Sequence, residues 1–402
     1  MFLLIAIVLA VLTAWVWLPN LVDLMAIAAM LARRVAGDRS VVSSSATLPR
    51  LAFLVPAHNE ELLISQCVRS LVMMEYPAHL RRIIVIADNS TDGTAQLARE
   101  AGAECMERLD PKRRGKPHAL AWAIQQIRLA EVDACVIVDA DTAVASGFAN
   151  GLAALGPLEG IAAQAYIGTM NEWDNWLTRL AGVLARCRYE FSYVLRDKAG
   201  LNCPLTGNGM CIGRGLLEAH GWQALSLTEN WELYARYTAE AIPIRFARNA
   251  RLFTQQVRSM QQGQIQRSRW SAGRTWVLRE WGMRILRGQR TSLLNKFATL
   301  AELAALTPVL HLTTVAAIVT LAILLQLPGH LWIAGFAAAS LASHVIATAA
   351  VLVEHPEPGA TLWAFARLPV YATWRLSVAA HTLLLPGSGE WRKTERNSPG
   401  TP

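Results

Sequence analysis

The sequence predicts a mostly parallel α/β domain carried on transmembrane and interfacial helices, and three observations predict it. From about Leu48 to Gln255, short β-rich runs alternate with helical stretches. Two blocks outside that segment are apolar: residues 303–353 contain no Asp, Glu, Lys or Arg, and residues 1–32 contain only Asp23. Between the domain and the second block lies a basic stretch, 256–302. The chain is 402 residues long, 53% hydrophobic and 17% charged, with 14 Trp. Such a chain can bury several cores, which excludes intrinsic disorder, and it is rich in the aromatics that sit at membrane surfaces. The six cysteines show no C-x-x-C pair and no Cys/His ligand spacing. That pattern argues against a disulfide framework or a zinc site and for reduced thiols facing a cytosol.

The elements follow in chain order. Residues 1–32 begin MFLLIAIVLAVLTAWVWL, and Met1–Leu18 with a few residues beyond Pro19 reaches the roughly 20 residues that cross a hydrocarbon core. No positive charge precedes the run, as a cleaved signal would need, and Arg33, Arg34 and Arg39 follow it, so the N-terminus is expected outside. Leu51–Val55, Ile83–Ala87 and Cys135–Asp139 read as buried strands. Glu60–Met74, Gly93–Ala101 and Ala119–Leu129 read as the helices between them. Apolar runs of this length separated by helices indicate a parallel sheet, in which ligands bind beyond the carboxyl ends of the strands. Polar clusters stand at those ends: Pro56–Glu60, Asp88–Asp92 and Asp139–Asp141. Neither G-x-G-x-x-G nor G-x-x-x-x-G-K-[ST] occurs, so a dinucleotide fingerprint and a P-loop are not supported.

The paired carboxylates Asp139 and Asp141 at a strand end suit a hard divalent cation that neutralises a diphosphate. Lys116, after Gly115, supplies a phosphate-reaching cation, whereas Lys112, Arg113 and Arg114 read as solvated loop charges. His58 reads as a loop support. Arg179, Arg186 and Arg188 read as a solvated helix face. In the second apolar block, Pro328-Gly329-His330 divides Leu303–Leu327 from Leu331–Val353, a transmembrane hairpin, with His311 and His344 as neutral histidines bonded to a neighbouring helix. Gly359–Leu385, interrupted by Arg367, Arg375 and His381, reads as an interfacial helix.

Taken together the motifs resemble the membrane-embedded family 2 glycosyltransferases of GT-A fold, the branch of cellulose, hyaluronan, poly-N-acetylglucosamine and nodulation chitooligosaccharide synthases. The matching residues are VPAHNEE (Val55–Glu61), ADNSTDGT (Ala87–Thr94), GKPHAL (Gly115–Leu120), VDADT (Val138–Thr142), TGNGMCIGR (Thr206–Arg214), TENWEL (Thr228–Leu233), QRSRW (Gln266–Trp270) and WRKTER (Trp391–Arg396). They occur in family order over nearly the whole chain. The resemblance implies a Rossmann-like GT-A domain at 48–255, basic interfacial helices at 256–302, a transmembrane hairpin at 303–353 and a cytoplasmic or interfacial segment at 354–402, in a multi-pass cell-membrane protein with its catalytic domain in the cytoplasm. It implies nucleotide-sugar contacts at Ala57, Glu60, Asp88, Lys116, Asp139 and Gly207, and Mg²⁺ or Mn²⁺ at Asp139 and Asp141. Gln266, Arg269 and Trp270 would close over the diphosphate and the acceptor end. The implied reaction is an inverting transfer, with a UDP-sugar the preferred donor by family frequency. The acceptor is a growing β-linked polysaccharide or, alternatively, a lipid or lipid-linked molecule; no export or regulatory partner follows.

One position departs from the family. The base is the Asp of a Thr-Glu-Asp motif, and here Asn230 occupies it. An amide cannot accept the proton, so either Glu229 or Glu232 serves, or the motif is misaligned, or the chain is a poor or non-catalytic glycosyltransferase-like subunit. Glu229 has a competing use, because Ser226-Leu-Thr-Glu229 fits the S-x-x-E capping box.

The net charge of +8 sits almost wholly in 256–302, where Arg258, Arg267, Arg269, Arg274, Arg279, Arg284, Arg287, Arg290 and Lys296 face only Glu280 and Glu302. Trp270, Trp276 and Trp281 are interleaved with them, beside the uncharged spans. That pattern predicts a collar on an anionic leaflet rather than a nucleic-acid surface.

Overall fold

The computed structural model describes residues 2–36, 47–326 and 329–384. WRKTER and Pro328 lie outside the described residues.

Eight strands form one sheet: β1 (Leu51–Ala57), β2 (Arg81–Asp88), β3 (Glu104–Arg108), β4 (Ala134–Ile137), β5 (Thr142–Val144), β6 (Ala162–Thr169), β7 (Met210–Gly213) and β8 (Ile244–Thr254). Their order is β3-β2-β1-β4-β7-β6-β8-β5. β1, β2, β3 and β4 run parallel, β6 and β8 run parallel, and β7 and β5 are antiparallel to their neighbours. Both faces are covered. Leu51, Phe53 and Val55 pack with Ile64, Val68 and Phe148 on one side, while Ala52, Leu54, Ile84 and Ile86 pack with Leu120, Ile124 and Tyr234 on the other. This two-sided burial is why the strands read as continuous apolar runs.

The expected helix Glu60–Met74 is shorter, Ile64–Val72, because its first turn is spent on cross-bonds to the next loop. The Glu60 amide donates to Thr94 Oγ1 at 2.8 Å, the Glu61 amide to Asp92 Oδ2 at 3.2 Å, and the Gly93 amide to Glu61 Oε2 at 3.1 Å. The helix placed at Ala119–Leu129 begins earlier, at Lys116–Gln126, with Pro117 in its first turn where the missing N–H costs nothing.

The apolar segments differ more. The N-terminal block is two helices, Phe2–Val16 and Leu18–Val35, bent by 41° at Trp17 rather than one straight helix. Val22 and Ala26 of the second helix pack on Ala199, Leu201, Ala298 and Ala301, so that helix docks on the α/β domain. The expected first leg Leu303–Leu327 is helix Pro308–Leu324, set at 80° to Leu293–Ala304, because Pro308 starts a new helix behind an extended Thr307. The stretch His330–Val353 is long and apolar enough to cross a membrane; the described helices make three such elements if each bent pair is one span. Leu9 and Val16 pack on Val315, Ile318, Ala334 and Ala337, and the Trp15 and Trp17 indoles donate to the Ala304 and Phe336 carbonyls at 2.9 and 2.8 Å. His311 Nε2 lies 2.9 Å from Ser340 Oγ and its ring meets His344 edge-on. The single helix read over 359–385 is two, Pro358–Phe365 and Leu368–Leu384.

Helix Met260–Arg287 joins the two halves. Its Val277, Trp281 and Ile285 are buried in the core beneath the sheet. Trp281 is therefore not a membrane-facing collar residue: it is 6% exposed, between Arg236 and Arg284, whereas Trp270 and Trp276 are 46% and 45% exposed.

Candidate active site

The polar loops converge at the carboxyl ends of β1, β2 and β4, on Lys116. Its Nζ donates to Asp139 Oδ1 at 2.6 Å and to the Gly207 carbonyl at 2.5 Å, and lies 3.5 Å from Glu229 Oε1. The three side chains come from three segments: the start of helix Lys116–Gln126, the turn after β4 and the start of helix Glu229–Ala239. Burial alone would lower Lys116, but Asp139 and Glu229 outweigh it and hold the ammonium above its ordinary range. Burial raises Glu229, Lys116 pulls it down, and Asp139 pushes it up again. One cation serves two carboxylates, so neither is fully neutralised.

Asn208 and Gln164 build the platform beneath. Asn208 Oδ1 accepts from the Asp139 amide at 3.1 Å and its Nδ2 donates to Thr142 Oγ1 at 2.7 Å, which clamps the Asp139–Asp141 turn. Gln164 donates to the Asn208 carbonyl at 2.8 Å and accepts from the Thr206 amide at 2.9 Å. Gly207 needs its glycine: its φ is 93°, and a Cβ there would stand 3.8 Å from both Lys116 Nζ and Asn230 Cγ. That geometry places Asn230 beside the lysine, with its Nδ2 donating to the Leu205 carbonyl at 2.9 Å.

The capping box expected at Ser226–Glu229 does not form. Thr228 is the N-cap, and it is Glu232 that accepts from the Ser226 amide at 3.2 Å, which leaves the Glu229 carboxylate for Lys116.

Asp88, at the end of β2, is buried with both oxygens engaged. Oδ1 accepts from Arg108 and from Asn89 Nδ2 at 2.9 Å, and Oδ2 from the Gly115 amide at 3.2 Å. Arg108 sits opposite Asp88 in the β2/β3 register and fixes the loop that delivers Lys116. His58 Nδ1 lies 2.8 Å from the Asp88 carbonyl, in a loop-supporting position. Ala57 is buried at the end of β1, and Glu60 is tied to Thr94 through its amide. The chain reading did not single out Arg108, Asn208 or Gln164; the one signal for Asn208 was its place inside the TGNGM run.

Gln266, Arg269 and Trp270 lie near the start of helix Met260–Arg287. Arg269 is partly buried, which lowers it, while the charges of Glu229 and Asp139 oppose that shift. Gln266 and Trp270 make no hydrogen bond to the Lys116 group among the described residues. Gly273 sets the approach: a Cβ there would meet Thr228 Cγ2 at 2.1 Å. Residues 269 and 273 share a helix face, so contact at Gly273 presses Arg269 toward Glu229. Gly273→Ala is expected to force the helix outward, to lower the melting temperature by overpacking worth about 1–3 kcal/mol, and to cut turnover at least tenfold. Thermal unfolding and initial rates measure the two effects.

Arg179 and Arg186, read as solvated, are paired instead: Arg179 with Glu357 at 2.9 Å, lying over Trp173, and Arg186 with Glu172 at 2.8 Å. The residue before helix Pro358–Phe365 brings in Glu357, and the loop after β6 brings in Glu172 and Trp173, which local sequence does not show. Arg188 remains exposed.

Among the described residues no group of three or more His, Cys, Asp or Glu could hold a metal ion by itself. Two carboxylates on one turn fit a different arrangement, in which Asp139 and Asp141 supply part of a hard cation's oxygen shell and diphosphate and water the rest.

Residues 49–273, more than half of the chain, match the sequence model of the family described as glycosyltransferase like family 2. The chain is 27% identical over 241 residues to a probable glycosyltransferase, YdaM, of Bacillus subtilis (strain 168), covering 58% of this chain and 56% of that protein. It is 30% identical over 199 residues to the beta-monoglucosyldiacylglycerol synthase of Nostoc sp., 47% of this chain and 41% of that one. It thus spans about half the length of these curated relatives. Its fold is similar to that of the mannosyltransferase PcManGT from Pyrobaculum calidifontis, solved with GDP-Man and Mn²⁺, with a TM-score of 0.51 at 20% identity over 90% of this chain and 99% of that one. The match over residues 49–273, on a mixed, mostly parallel sheet, shows that the chain belongs to the glycosyltransferase like family 2.

Proposed function

We propose that the chain is a membrane-bound inverting glycosyltransferase that moves one sugar from a nucleotide sugar to a lipid acceptor. The observation that carries it is Lys116 held between Asp139, Glu229 and the Gly207 carbonyl, in a chain whose helix Met260–Arg287 packs on helix Leu368–Leu384. Lys116 and Arg269 bind the leaving diphosphate, and Asn208 holds the Asp139 turn against it. When bound through Asp139 and Asp141, Mg²⁺ or Mn²⁺ would supply further neutralisation of the diphosphate. Recruiting Lys116 to the diphosphate loosens its hold on Glu229, which accepts the acceptor hydroxyl proton in place of the missing Asp. Helix Met260–Arg287 packs against both the α/β core and Leu368–Leu384, so an acceptor from the bilayer reaches Trp270 without leaving the membrane surface. The name of the Nostoc relative, a glucosyldiacylglycerol synthase, supports the lipid acceptor. The apolar helices carry exposed Leu4, Ile7, Val11, Trp332, Val345 and Ile346, a surface suited to lipid, and supply a multi-pass anchor with the catalytic domain in the cytoplasm.

A second reading, extension of a β-linked polysaccharide, is favoured by Gln266-x-x-Arg269-Trp270. Membranes carrying the protein, incubated with UDP- and GDP-sugars, decide between them. A single addition to an extractable lipid is the expected product, and a ladder of sizes overturns it in favour of the polymer. Nucleotide-sugar binding without any release of nucleoside diphosphate makes the chain a non-catalytic subunit and sinks both.

Asn230→Asp is expected to bring no more than about a threefold gain. The Asn230 amide donates to the Leu205 carbonyl, which a carboxylate cannot do, and a third acid would crowd Lys116. A gain above about tenfold would instead mark Asn230 as the defect that limits this enzyme.

A further inference from the structure

On the opposite side of helix Met260–Arg287 from Arg269, two arginines stand beside the same tryptophan, and no described carboxylate pairs with either. Arg375, on helix Leu368–Leu384, is 4% exposed, and its Nη1 has no hydrogen-bond partner among the described residues. Arg267 Nε is likewise buried and unpartnered. Arg267 lies 5.8 Å from the ring centres of Tyr371 and Trp374, and Arg375 lies 5.9 Å from that of Trp374, so both guanidiniums lie near one indole. A Cβ on Gly263 would be 3.3 Å from Trp374, which shows how closely the two helices pack there. Arg274, the next cation along, is occupied with the Ala305 carbonyl and lies over Trp231. No described carboxylate forms an ion pair with Arg267 or Arg375, and Glu302, the acid on the neighbouring helix, is taken by Arg196 at 2.7 Å. Burial depresses Arg375, Tyr371 opposes this, and the Arg267 and Arg274 charges depress it further.

A buried guanidinium N–H without an acceptor is costly, and native structures rarely leave one without a partner, water or ion. Residues 267 and 269 point to different sides of the helix, so this is not the diphosphate end of the donor site. Exposed Val370 and Leu376 on the same C-terminal helix, with exposed Trp270 across from it, give the surroundings an apolar rim. We propose that Arg267 and Arg375, both beside Trp374, form a binding site for a phosphate-class oxyanion, carried by an anionic lipid headgroup or present as free phosphate.

The test uses the full chain in an uncharged maltoside detergent, with melting temperature and tryptophan fluorescence as readouts. The probes are dihexanoyl phosphatidylglycerol, dihexanoyl phosphatidylcholine and inorganic phosphate. Phosphatidylglycerol is expected to raise the melting temperature saturably and to shift the fluorescence. Arg375→Met should weaken that response at least tenfold while melting no lower than the parent without ligand, because an unpaired buried charge has been removed. Arg267→Gln, on the other helix, should weaken the response as well and serves if the first variant does not fold. A response to inorganic phosphate that competes with the lipid and is lost in the same variants supports the site and assigns free phosphate as its ligand. Equal responses to phosphatidylcholine, or wild-type responses in both variants, overturn it. Titration of a nucleoside diphosphate in the same samples is expected to be unchanged by Arg375→Met, so failure here leaves the donor-site reading intact.

Discussion

Glu229→Gln is expected to lower kcat by about 10²–10⁴ while nucleotide-sugar affinity changes only a few-fold. Glu229 is buried beside Lys116, and no Asp follows it to take the proton of an attacking hydroxyl. The amide keeps the shape and can still meet the lysine, so the loss isolates proton acceptance from packing. The pH profile gives a second, independent readout. Burial, with Asp139 sharing the same ammonium, holds Glu229 above the usual carboxylate range despite the pull of Lys116. A base works deprotonated, so the rate falls as pH drops through that raised value, and the acid limb of kcat lies above where an ordinary glutamate would place it. In Glu229→Gln the limb disappears together with the rate. A variant that keeps wild-type turnover and the same acid limb rules Glu229 out as the base. Glu232 is a weak substitute in that event, because its carboxylate is tied back to the Ser226 amide.

β1, β2 and β4 and the loops at their ends were legible because parallel strands buried on both faces give unbroken apolar runs; β3, a partly exposed edge strand with two glutamates, was not. Local pattern carries that much. The second half of the sheet was not legible: β6 and β8 are parallel neighbours brought together by non-local pairing, and β5 leaves β4 after one short turn to pair at the far edge. The site residues found by motif are those whose chemistry is local to a run, such as Lys116 after Gly115. Arg108 and Gln164 were missed because their role depends on a partner in another strand or loop: Arg108 on Asp88, Gln164 on Thr206 and Asn208. The same reason explains two misreadings. Arg186 looked solvated because Glu172 lies on a preceding loop, and Trp281 looked membrane-facing because its neighbours in sequence are arginines. Interleaved charge says which faces a helix has, and only the tertiary partner says which face is covered.

Lys116→Met is expected to weaken nucleoside diphosphate binding at least about a hundredfold, the cost of leaving a buried, hydrogen-bonded charge unanswered. Turnover should become undetectable. The variant also leaves Asp139 and Glu229 facing each other with no shared cation. Removing one partner of a fully buried pair costs about 3–5 kcal/mol. Here Lys116 and Asp139 keep side-chain exposures of 21% and 37%, so water screens part of the loss and about 1–3 kcal/mol is expected. The direction of Lys116 fixes the sign: its carboxylate neighbours raise it, so the charged lysine stabilises the fold across the neutral range, and that contribution is lost only at high pH. The double variant Lys116→Met with Glu229→Gln separates structure from chemistry. It removes the orphaned carboxylate along with the cation, so its melting temperature should recover toward wild type while activity does not. A melting temperature equal to the sum of the two single losses would mean that the two side chains do not interact, and the shared-cation arrangement would be wrong. Recovery of stability without recovery of diphosphate binding is what a lysine held ready for an anionic leaving group produces, because the same charge that quiets two carboxylates at rest is the one the diphosphate draws away.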